Sequence, residues 1–338
     1  MKAARFLGKK RIELRERDIP KLKDGEVLLK VKASGLCGSE LGPFRSSNPS
    51  DMPGGERLVS DIPGHEMAGE VVNRGSAKNV KVGDRVGVHI FVGCGHCEYC
   101  KQGRQVFCDE LKIWNGSHAE FIAVPADYCL PLPDEVSYDV GVLLSGDAVG
   151  VAYHISKRLR ISALDNIAVI GAGPIGLGVI LVLKFLDARV LAVDLIDYRL
   201  NLAKELGADY VVNPRRGNAE ERIRDLTQGK GPDMAIECVG KDSTTNFGLN
   251  IVKKGGILVL VGETPQAMIK PSEQIIHREL TIMGSLYYYI NEYNEILNLY
   301  HRGLPAEKLI THRFGLEDIE KAFHLFEQGQ TGKVIINP

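Results

Sequence analysis

The hydrophobic and polar positions of the chain follow two different patterns. Between about residues 26 and 150, short β-like runs such as EVLLKVKASG and MAGEVVNRG alternate with Gly, Pro and Asp breaks, and clear long amphipathic helices are absent. This pattern predicts an all-β segment. Between about residues 166 and 289, strand-like and helix-like runs alternate, beginning with NIAVIGAG and PIGLGVILVLKFL. Such alternation predicts right-handed β-α-β units and a parallel sheet with helices on both faces.

The C-terminal stretch has two helical patterns, NEYNEILNLYHRG and LEDIEKAFHLFEQG, and closes with a strand-like run, GKVIINP. At 338 residues, the chain exceeds the size at which a single core usually keeps growing. We therefore predict two domains, each able to bury a sizeable core, and a fold class of α/β plus β.

The net charge and the distribution of apolar residues limit the classes of molecule that the protein is expected to bind. The formal net charge of -1 leaves no basic excess to bind nucleic acid or an anionic membrane. The N-terminal segment MKAARFLGKKRIELRERDIP has no apolar stretch of signal-peptide length, and no run of about 18 apolar residues occurs anywhere. We predict a cytoplasmic protein whose partner is a small neutral or mixed-charge molecule.

The run VIGAGPIGLG predicts a dinucleotide-binding turn. Gly171, Gly173 and Gly176 fit the pattern G-x-G-x-x-G where a strand ends and an apolar helix begins. The first glycine allows the tight turn, the second allows a pyrophosphate to approach the backbone, and the third allows the helix to pack on the strand. Asp194, at the end of the next strand, would accept hydrogen bonds from ribose hydroxyls and repel a 2'-phosphate, which favours NAD over NADP.

Several further residues are assigned to the same site. Arg199 could stack near the adenine, although a solvated helix arginine is an equally ordinary interpretation. A glycine turn alone could also be a loop without function. The remaining candidate cofactor residues lie within the turn or after later strands of the domain, and they are Pro174, Ile175, Val261, Gly262 and Ser285.

Four of the seven cysteines are crowded into CGHCEYCKQGRQVFC, at Cys94, Cys97, Cys100 and Cys108. Disulfide frameworks favour even counts in small secreted chains, so a metal site is the better interpretation. Four thiolates complete the tetrahedral shell of a zinc ion and leave no open position, which predicts a structural zinc. The alternatives are a chance grouping of cysteines or a redox pair at Cys94 and Cys97.

Two more stretches carry metal-type residues, GLCGSE at 35–40 and PGHEMAGE at 63–70. Alone, Cys37 could be a small buried hydrophobic residue, and the pair His65 and Glu66 could cap a turn. Together with the cysteine loop, GAGPIGLG and the Asp194 strand, their order and distances resemble those of the zinc-dependent medium-chain dehydrogenases, the family of alcohol, polyol and threonine dehydrogenases. The resemblance spans nearly the whole chain.

This resemblance implies a GroES-like β-rich catalytic domain over 1–150, completed by 290–338, and a Rossmann domain over 151–289. It also implies that Cys37 and His65 bind a catalytic zinc, with Glu66 a ligand or a close neighbour that exchanges with water. Asp147, in LLSGDAVGVAYH, occupies the place of the fourth ligand in the family. The alternative for Asp147 is an N-cap of the following helix.

The resemblance further assigns the residues that follow Cys37. Ser39 matches the hydroxyl that takes the proton of the alcohol, and Glu40 matches an acid that holds the imidazole of His65 in one tautomer. Gly42 stands where a proton-relaying histidine is often found, so the proton must leave by water, the cofactor ribose or another side chain. Phe44 and Trp114 are further candidates for the substrate cleft, and the polar tract at 42–61 is either part of its rim or a surface loop.

The expected activity is oxidation of a secondary alcohol by hydride transfer to NAD, with two zinc ions per subunit, one catalytic and one structural. The expected substrate is a polyol, a sugar or a related polar compound; a simple secondary alcohol or threonine is the alternative. Rival functions on the same two domains are a zinc-free NAD(P)H quinone reductase, a binding protein, and a lyase or synthase with tightly held NAD.

The strand-like run LTIMGSL predicts the quaternary structure. It is apolar and expected near an edge of the parallel sheet, and bare edges of this kind are usually paired or covered. In the family the corresponding strands commonly join two subunits, and the cysteine loop lies near a subunit contact. A homodimer or homotetramer is therefore expected.

Overall fold

The computed structural model describes residues 1–47 and 58–338. The chain forms two compact units, one from Met1–Gly150 with Tyr288–Pro338 and the other from Val151–Tyr287. Half of the polar tract at 42–61, predicted as a rim or surface loop, falls on residues 48–57, outside the described residues.

The strands of the described residues, numbered in chain order, are β1 Lys2–Gly8, β2 Arg11–Glu16, β3 Glu26–Gly35, β4 Glu66–Asn73, β5 Arg85–Val88, β6 Phe91–Val92, β7 Lys112–Ile113, β8 Phe121–Pro125, β9 Cys129–Pro131, β10 Asn166–Ile170, β11 Arg189–Val193, β12 Tyr210–Val212, β13 Met234–Glu237, β14 Ile257–Leu260, β15 Thr281–Gly284, β16 Ile310–Gly315 and β17 Lys333–Asn337. The α-helices are α1 Leu41–Arg45, α2 Glu98–Lys101, α3 Tyr138–Ser145, α4 Asp147–Leu159, α5 Pro174–Phe185, α6 Asp197–Glu205, α7 Ala219–Leu226, α8 Asp242–Ile251, α9 Tyr293–His301 and α10 Ile319–Glu327.

The first unit is built on a sheet with the strand order β16-β17-β3-β4-β5-β9, in which β8 also pairs with β3. Strand β3 is antiparallel to both β4 and β17, and Gly35 at its end is opposite Glu66 on one side and Ile335 on the other. The chain segments that follow Gly35, precede Glu66 and begin β17 therefore meet at one end of this sheet.

The N-terminal hairpin of β1 and β2 was not predicted. Its two-residue loop, Lys9 and Lys10, has φ angles of 50° and 61°, and Gly8 pairs with Arg11 across it. A two-residue loop with both φ angles positive usually contains Asn or Gly, because other side chains are strained there. Two lysines give no such turn signal, so the pattern of residues did not indicate a hairpin.

The expectation that the β-rich segment lacks helices is only partly correct, because α3 lies within it. Ser137 caps this helix by accepting a hydrogen bond from the backbone N–H of Val140 at 3.2 Å. Residues 140–145 are all buried. A helix that is apolar on all sides has no amphipathic periodicity, which is why the sequence pattern did not reveal it.

The second unit confirms the predicted doubly wound parallel sheet. Its six strands lie in the order β12-β11-β10-β13-β14-β15, and all five neighbouring pairs are parallel. Counted from β10, this is the order 3-2-1-4-5-6 of dinucleotide-binding sheets. In β10, β11 and β13 every residue after the first is buried, as expected for strands covered on both faces, and β15 is an edge strand with Thr281 and Ile282 exposed.

Within the described residues, no helix has both the length and the apolar character needed to cross a membrane.

Candidate active site

The first unit brings four potential metal ligands together. One donor atom from each of Cys37, His65, Glu66 and Asp147 lies within 4.8 Å of the others. Cys37 follows β3, His65 and Glu66 lie at the start of β4, and Asp147 is the first residue of α4. Residues separated by up to 110 positions in the chain therefore converge at the end of one sheet.

The carboxylate of Asp147 faces this cluster. Its Oδ2 accepts a hydrogen bond from Cys37 Sγ at 3.2 Å and lies 3.4 Å from His65 Nε2. The side chain of Asp147 is 12% exposed, and that of His65 is 16% exposed. Both contacts of this carboxylate are thus with other members of the ligand cluster. The N-cap alternative would instead require a hydrogen bond from a backbone N–H of α4.

The protonation of the cluster reflects competition between burial and close charges. Burial raises the pKa of the Cys37 thiol, and the carboxylate of Asp147 raises it further. Burial alone would lower the pKa of His65, but Cys37 and Asp147 hold it well above its ordinary value. Burial alone would raise the pKa of Asp147, but His65 holds it below its usual range. The anionic donors therefore favour a positive charge among them.

A cation that no sequence motif indicated faces Glu66. Lys333, at the start of β17, forms an ion pair with Glu66 Oε1, and the two side chains are 1% and 0% exposed. Burial raises the pKa of Glu66 to about 7, although Lys333 acts in the opposite direction. Burial alone would lower the pKa of Lys333, but Glu66, Cys37 and Asp147 hold it above its ordinary value.

These residues fit a zinc ion. A thiol sulfur, an imidazole nitrogen and carboxylate oxygens are the donors that zinc prefers. Glu66 Oε2 is buried and has no hydrogen-bond partner among the described residues, so it is available to bind a metal ion. The charges also fit a divalent ion. Three anionic donors are balanced by the ion together with the cation of Lys333, so the buried site as a whole would carry little net charge.

The prediction for Glu40 requires a correction. We expected its carboxylate to hold the imidazole of His65. Instead Oε2 accepts a hydrogen bond from the backbone N–H of Cys37 at 3.0 Å, and Oε1 accepts one from the N–H of Gly64 at 2.9 Å. Oε1 also lies 3.2 Å from Nε2 of His118. Glu40 therefore supports the backbone beside the ligands, because its side chain turns toward a different histidine.

Two of the predicted cleft residues occupy different environments. Phe44 is fully buried in a core cluster, with its ring centroid 5.2 Å from that of Phe323, so its assignment to the substrate cleft is wrong. Its position in an apolar helix turn did not distinguish a cleft from a core. Trp114 is half-buried and donates its indole N–H to the carbonyl oxygen of Ala123 at 2.8 Å.

The two positions assigned to the path of the proton, Ser39 and Gly42, are both exposed.

The four clustered cysteines also converge. One donor atom from each of Cys94, Cys97, Cys100 and Cys108 lies within 4.8 Å of the others, and all four are free thiols. Backbone N–H groups point at the sulfurs: Cys97 N lies 3.4 Å from Cys94 Sγ, and Cys94 N lies 3.3 Å from Cys108 Sγ. Such N–H groups stabilise thiolates, so the lobe fits a four-coordinate metal.

We predict that Cys100→Ser removes one metal ion per chain and lowers thermal stability. A structural zinc contributes on the order of 10 kcal/mol of apparent binding free energy in small metal-stabilised domains, so its loss should exceed the effect of an ordinary surface substitution. Metal analysis and a thermal unfolding scan measure both effects. Cys238→Ser, outside the lobe, is the control, and equal metal content in the two variants would contradict the prediction.

The glycine turn has the geometry of a dinucleotide cradle. Gly171 has a φ of 94°, and a Cβ on Gly176 would lie 1.8 Å from the carbonyl oxygen of Gly171, so neither position tolerates a side chain. Gly173 caps α5, Pro174 follows at its first position, and Gly173–Ile175 are only partly buried. The open N-terminus of α5 thus presents unpaired N–H groups that suit a pyrophosphate.

Asp194 and Arg199 lie beside this turn. The carboxylate of Asp194 accepts hydrogen bonds from the N–H groups of Ala172 at 2.8 Å and Ile196 at 2.9 Å, which leaves acceptor sites for further donors. Arg199 Nη1 lies 4.0 Å from Asp194 Oδ2, and the Arg199 side chain is 20% exposed. The solvated-arginine interpretation is therefore wrong, because Arg199 packs toward the turn.

The other candidate cofactor residues follow the carboxyl ends of neighbouring strands. Val261 and Gly262 come after β14, and their N–H groups donate to the carbonyl oxygen of Glu237. Ser285 comes after β15, and its Oγ is buried without a hydrogen-bond partner. The glycine turn after β10 and Asp194 after β11 lie at the same edge, where open parallel sheets bind their ligands.

Comparison with known proteins agrees with this architecture. Residues 23–134 match the family profile of the alcohol dehydrogenase GroES-like domain, and residues 174–302 match that of the zinc-binding dehydrogenases. The chain is 32% identical to L-idonate 5-dehydrogenase of Vitis vinifera, over 99% of this chain and 94% of that protein. It is also 32% identical to sorbitol dehydrogenase of Bacillus subtilis, over 100% of this chain and 97% of that protein.

Among solved structures, the chain is similar to an alcohol dehydrogenase from E. coli CFT073 complexed with NADH. The two share 29% sequence identity with a TM-score of 0.87, over 100% of this chain and 99% of the other. The GroES-like and Rossmann folds expected from the sequence are thereby confirmed. The chain belongs to the zinc-dependent medium-chain dehydrogenases and is an alcohol dehydrogenase-type oxidoreductase.

Proposed function

We propose that this protein oxidises a secondary alcohol, of a polyol, a sugar or a related polar compound, to a ketone by hydride transfer to NAD. The observation that carries the proposal is the convergence of Cys37, His65, Glu66 and Asp147 in a chain that also has a dinucleotide turn. Two zinc ions per subunit are proposed, one at this cluster and one at the four cysteines.

The catalytic zinc would be held by Cys37, His65 and Asp147, with Glu66 as a fourth ligand or a neighbour. A zinc ion with these donors supplies Lewis acidity, which makes a hydroxyl group more acidic near neutral pH. Lys333 pairs with Oε1 of Glu66 and therefore competes with a metal ion for this donor. The carboxylate of Asp147 contacts Cys37 and His65, which are themselves proposed ligands. These contacts support Asp147 as the permanent ligand.

Ser39 is the proposed proton acceptor. Its hydroxyl accepts the proton of the substrate hydroxyl as its own proton passes onward, so the side chain acts as a relay. Both Ser39 and Gly42 are exposed, and Gly42 carries no side chain that would block solvent. Water can therefore take the proton directly where relatives of this type use a histidine.

The cofactor would bind along the carboxyl ends of β10, β11, β14 and β15. NAD supplies the hydride acceptor, and the chain binds and orients it. The N-terminus of α5 suits the pyrophosphate, Asp194 suits the ribose hydroxyls, and Arg199 lies beside both. The alcohol dehydrogenase from E. coli CFT073, which is bound to NADH, supports the same choice.

The polar substrate class rests on two supports. The exposed hydroxyl of Ser39 favours a hydroxylated substrate, because it can both donate and accept hydrogen bonds with such a compound and gains no hydrogen bond from an apolar one. The similar L-idonate 5-dehydrogenase and sorbitol dehydrogenase are named for polyhydroxylated substrates. A zinc-free reductase or binding protein would have no use for the converging ligands.

The proposal is tested by metal analysis and by incubation of the protein with NAD and a panel of polyols, sugar acids, simple secondary alcohols and threonine. We expect two zinc ions per chain and net NADH formation, fastest with a polyol or sugar derivative. A preference for simple alcohols would refute the substrate class alone. A single zinc ion without NADH formation from any alcohol would refute the activity, and conversion of a substrate without net NADH would indicate a lyase or synthase.

We predict that Asp194→Asn reduces the preference for NAD over NADP. A carboxylate within about 4 Å of a 2'-phosphate costs on the order of 1–4 kcal/mol, so the ratio of the two kcat/KM values should fall by about 5- to 700-fold. Asp197→Asn is the matched control, because Asp197 is exposed and pairs with Arg216. An unchanged ratio in Asp194→Asn would refute the role of Asp194 in discrimination.

We also propose that the protein is a cytoplasmic homodimer or homotetramer. Strand β15 is the last strand of its sheet, and two of its side chains are exposed, so it offers an unpaired edge to a second subunit. Light scattering in solution distinguishes the two assemblies from a monomer.

A further inference from the structure

The carboxylate of Glu40 joins the two segments that carry the proposed ligands. It bonds the backbone N–H of Cys37 with one oxygen and the N–H of Gly64, the residue before His65, with the other. The side chain of Glu40 is 4% exposed, so these contacts are made away from solvent. The relative position of the two segments therefore depends on where this one carboxylate is held.

A buried histidine, which the sequence motifs did not indicate, lies beside the carboxylate of Glu40. His118 is fully buried, and its Nε2 lies 3.2 Å from Glu40 Oε1. Its other ring nitrogen, Nδ1, lies 2.8 Å from the hydroxyl of Ser34, which is also fully buried. The imidazole is thus hydrogen-bonded to a residue of β3 at Nδ1, and at Nε2 it makes a close polar contact with the carboxylate that lacks hydrogen-bond geometry.

The same polar network reaches the third ligand segment. The hydroxyl of Ser34 lies 2.7 Å from that of Ser117, and the Ser117 hydroxyl donates to the backbone carbonyl of Glu66 at 3.4 Å. Through Ser34, Ser117 and Glu40, His118 is connected to backbone groups at or next to three of the four proposed ligands.

The backbone is packed tightly where these segments meet. The N–H of His118 donates to the carbonyl of Pro63 at 3.0 Å, and the N–H of Ser117 donates to that of Gly64 at 3.1 Å. Gly64 has a φ of 92°, and a Cβ there would lie 2.4 Å from the hydroxyl of Ser117. There is no room for the segment before His65 to shift toward residues 117 and 118.

We propose that His118 is a positioning residue of the metal site, which fixes the Cys37 and His65 segments through Glu40 before a metal ion binds. This inference rests on the proposed function, because it assumes that Cys37 and His65 bind a metal. Ligand geometry tolerates deviations of only about 0.5 Å, and loss of a group that orients a ligand typically weakens metal binding by about 10- to 100-fold.

Two substitutions separate positioning from simple space filling. In His118→Asn the amide nitrogen takes approximately the place of Nδ1, so the contact with Ser34 survives and the contact with Glu40 is lost. In His118→Gln the longer side chain places an amide nitrogen near the position of Nε2, so the contact with Glu40 is restored. His89→Asn is the matched control, because His89 is also fully buried in this unit but bonds the backbone carbonyl of Tyr288.

The measurement is titration of the metal-depleted full-length protein with Co²⁺, followed by its visible d–d and near-ultraviolet thiolate bands. A one-thiolate site at Cys37 and a four-thiolate site at the cysteine lobe differ in the intensity of the charge-transfer band, so the two sites are resolved. We expect His118→Asn to bind Co²⁺ at the Cys37 site about 10- to 100-fold more weakly, with an altered d–d spectrum. The cysteine lobe and NAD binding should be unchanged, and His118→Gln should recover most of the affinity.

Three results would overturn the proposal. Co²⁺ binding by His118→Asn within twofold of the unsubstituted protein would show that the contact with Glu40 does not position the ligands. Equal weakening in His118→Asn, His118→Gln and His89→Asn would show a general loss of packing. Failure of the unsubstituted protein to bind Co²⁺ at Cys37 would overturn both this inference and the proposed function, whereas the first two results leave the proposed function standing.

Discussion

Cys37→Ala is expected to lower kcat/KM for alcohol oxidation by about 10³-fold or more and to remove one metal ion per chain. The thiolate is the only sulfur donor of the proposed catalytic site, and metal-ion polarisation supplies several kcal/mol of transition-state stabilisation. Stability should change little, because the alanine fills part of the same buried position. Steady-state kinetics and metal analysis of the purified variant measure the two effects.

Cys129→Ala is the matched control for this substitution. Cys129 lies half-buried in β9 of the same unit, outside both ligand clusters. It should retain two metal ions and full activity. If Cys37→Ala keeps both metal ions and its activity, the metal site proposed at residues 37, 65, 66 and 147 does not exist.

Lys333→Met is expected to destabilise the protein by about 3–5 kcal/mol, the usual cost of removing one partner from a buried ion pair. The variant leaves the carboxylate of Glu66 without its cation in a position that is fully buried. Methionine has a similar length and volume, so the packing of β17 should be preserved. Denaturant unfolding above neutral pH, where Glu66 is ionised in the unsubstituted protein, measures the free energy of unfolding.

Two further variants show whether charge is the cause. Lys333→Arg keeps the cation and should lose much less stability. In the double variant Lys333→Met with Glu66→Gln, no uncompensated carboxylate is buried, so the double variant should be more stable than Lys333→Met alone. Equal stability of the single and double variants would mean that packing, and not the ion pair, determines the effect.

Local patterns predicted most of the parallel-sheet unit. The alternation of strand-like and helix-like runs gave the elements from β10 to β15, and the register of their carboxyl ends places the glycine turn and Asp194 on one edge. These features depend on residues close together in the chain, where periodicity and turn chemistry act directly. The hairpin of β1 and β2 escaped detection because Lys9 and Lys10 occupy positions that usually carry Asn or Gly.

The supporting residues of the metal site could not be predicted in the same way. Lys333 begins an apolar strand and looks like an ordinary charged residue at its end, and it meets Glu66 across 267 positions of the chain. His118 lies in a polar loop where a histidine has no distinctive spacing. Glu40 contacts His118 and not His65 because of how the side chains pack. That packing depends on the arrangement of the sheet, which local sequence patterns do not reveal.

The two residues of the buried ion pair, Glu66 and Lys333, are synthesised at different times. Glu66 is translated before the second unit, residues 151–287, whereas Lys333 emerges from the ribosome only after that unit has been made. Until then a nascent chain must shelter the carboxylate by protonating it, by hydrating it or by capturing a cation from the cell. Metal uptake during translation would therefore meet a more anionic and more open centre than the finished enzyme offers.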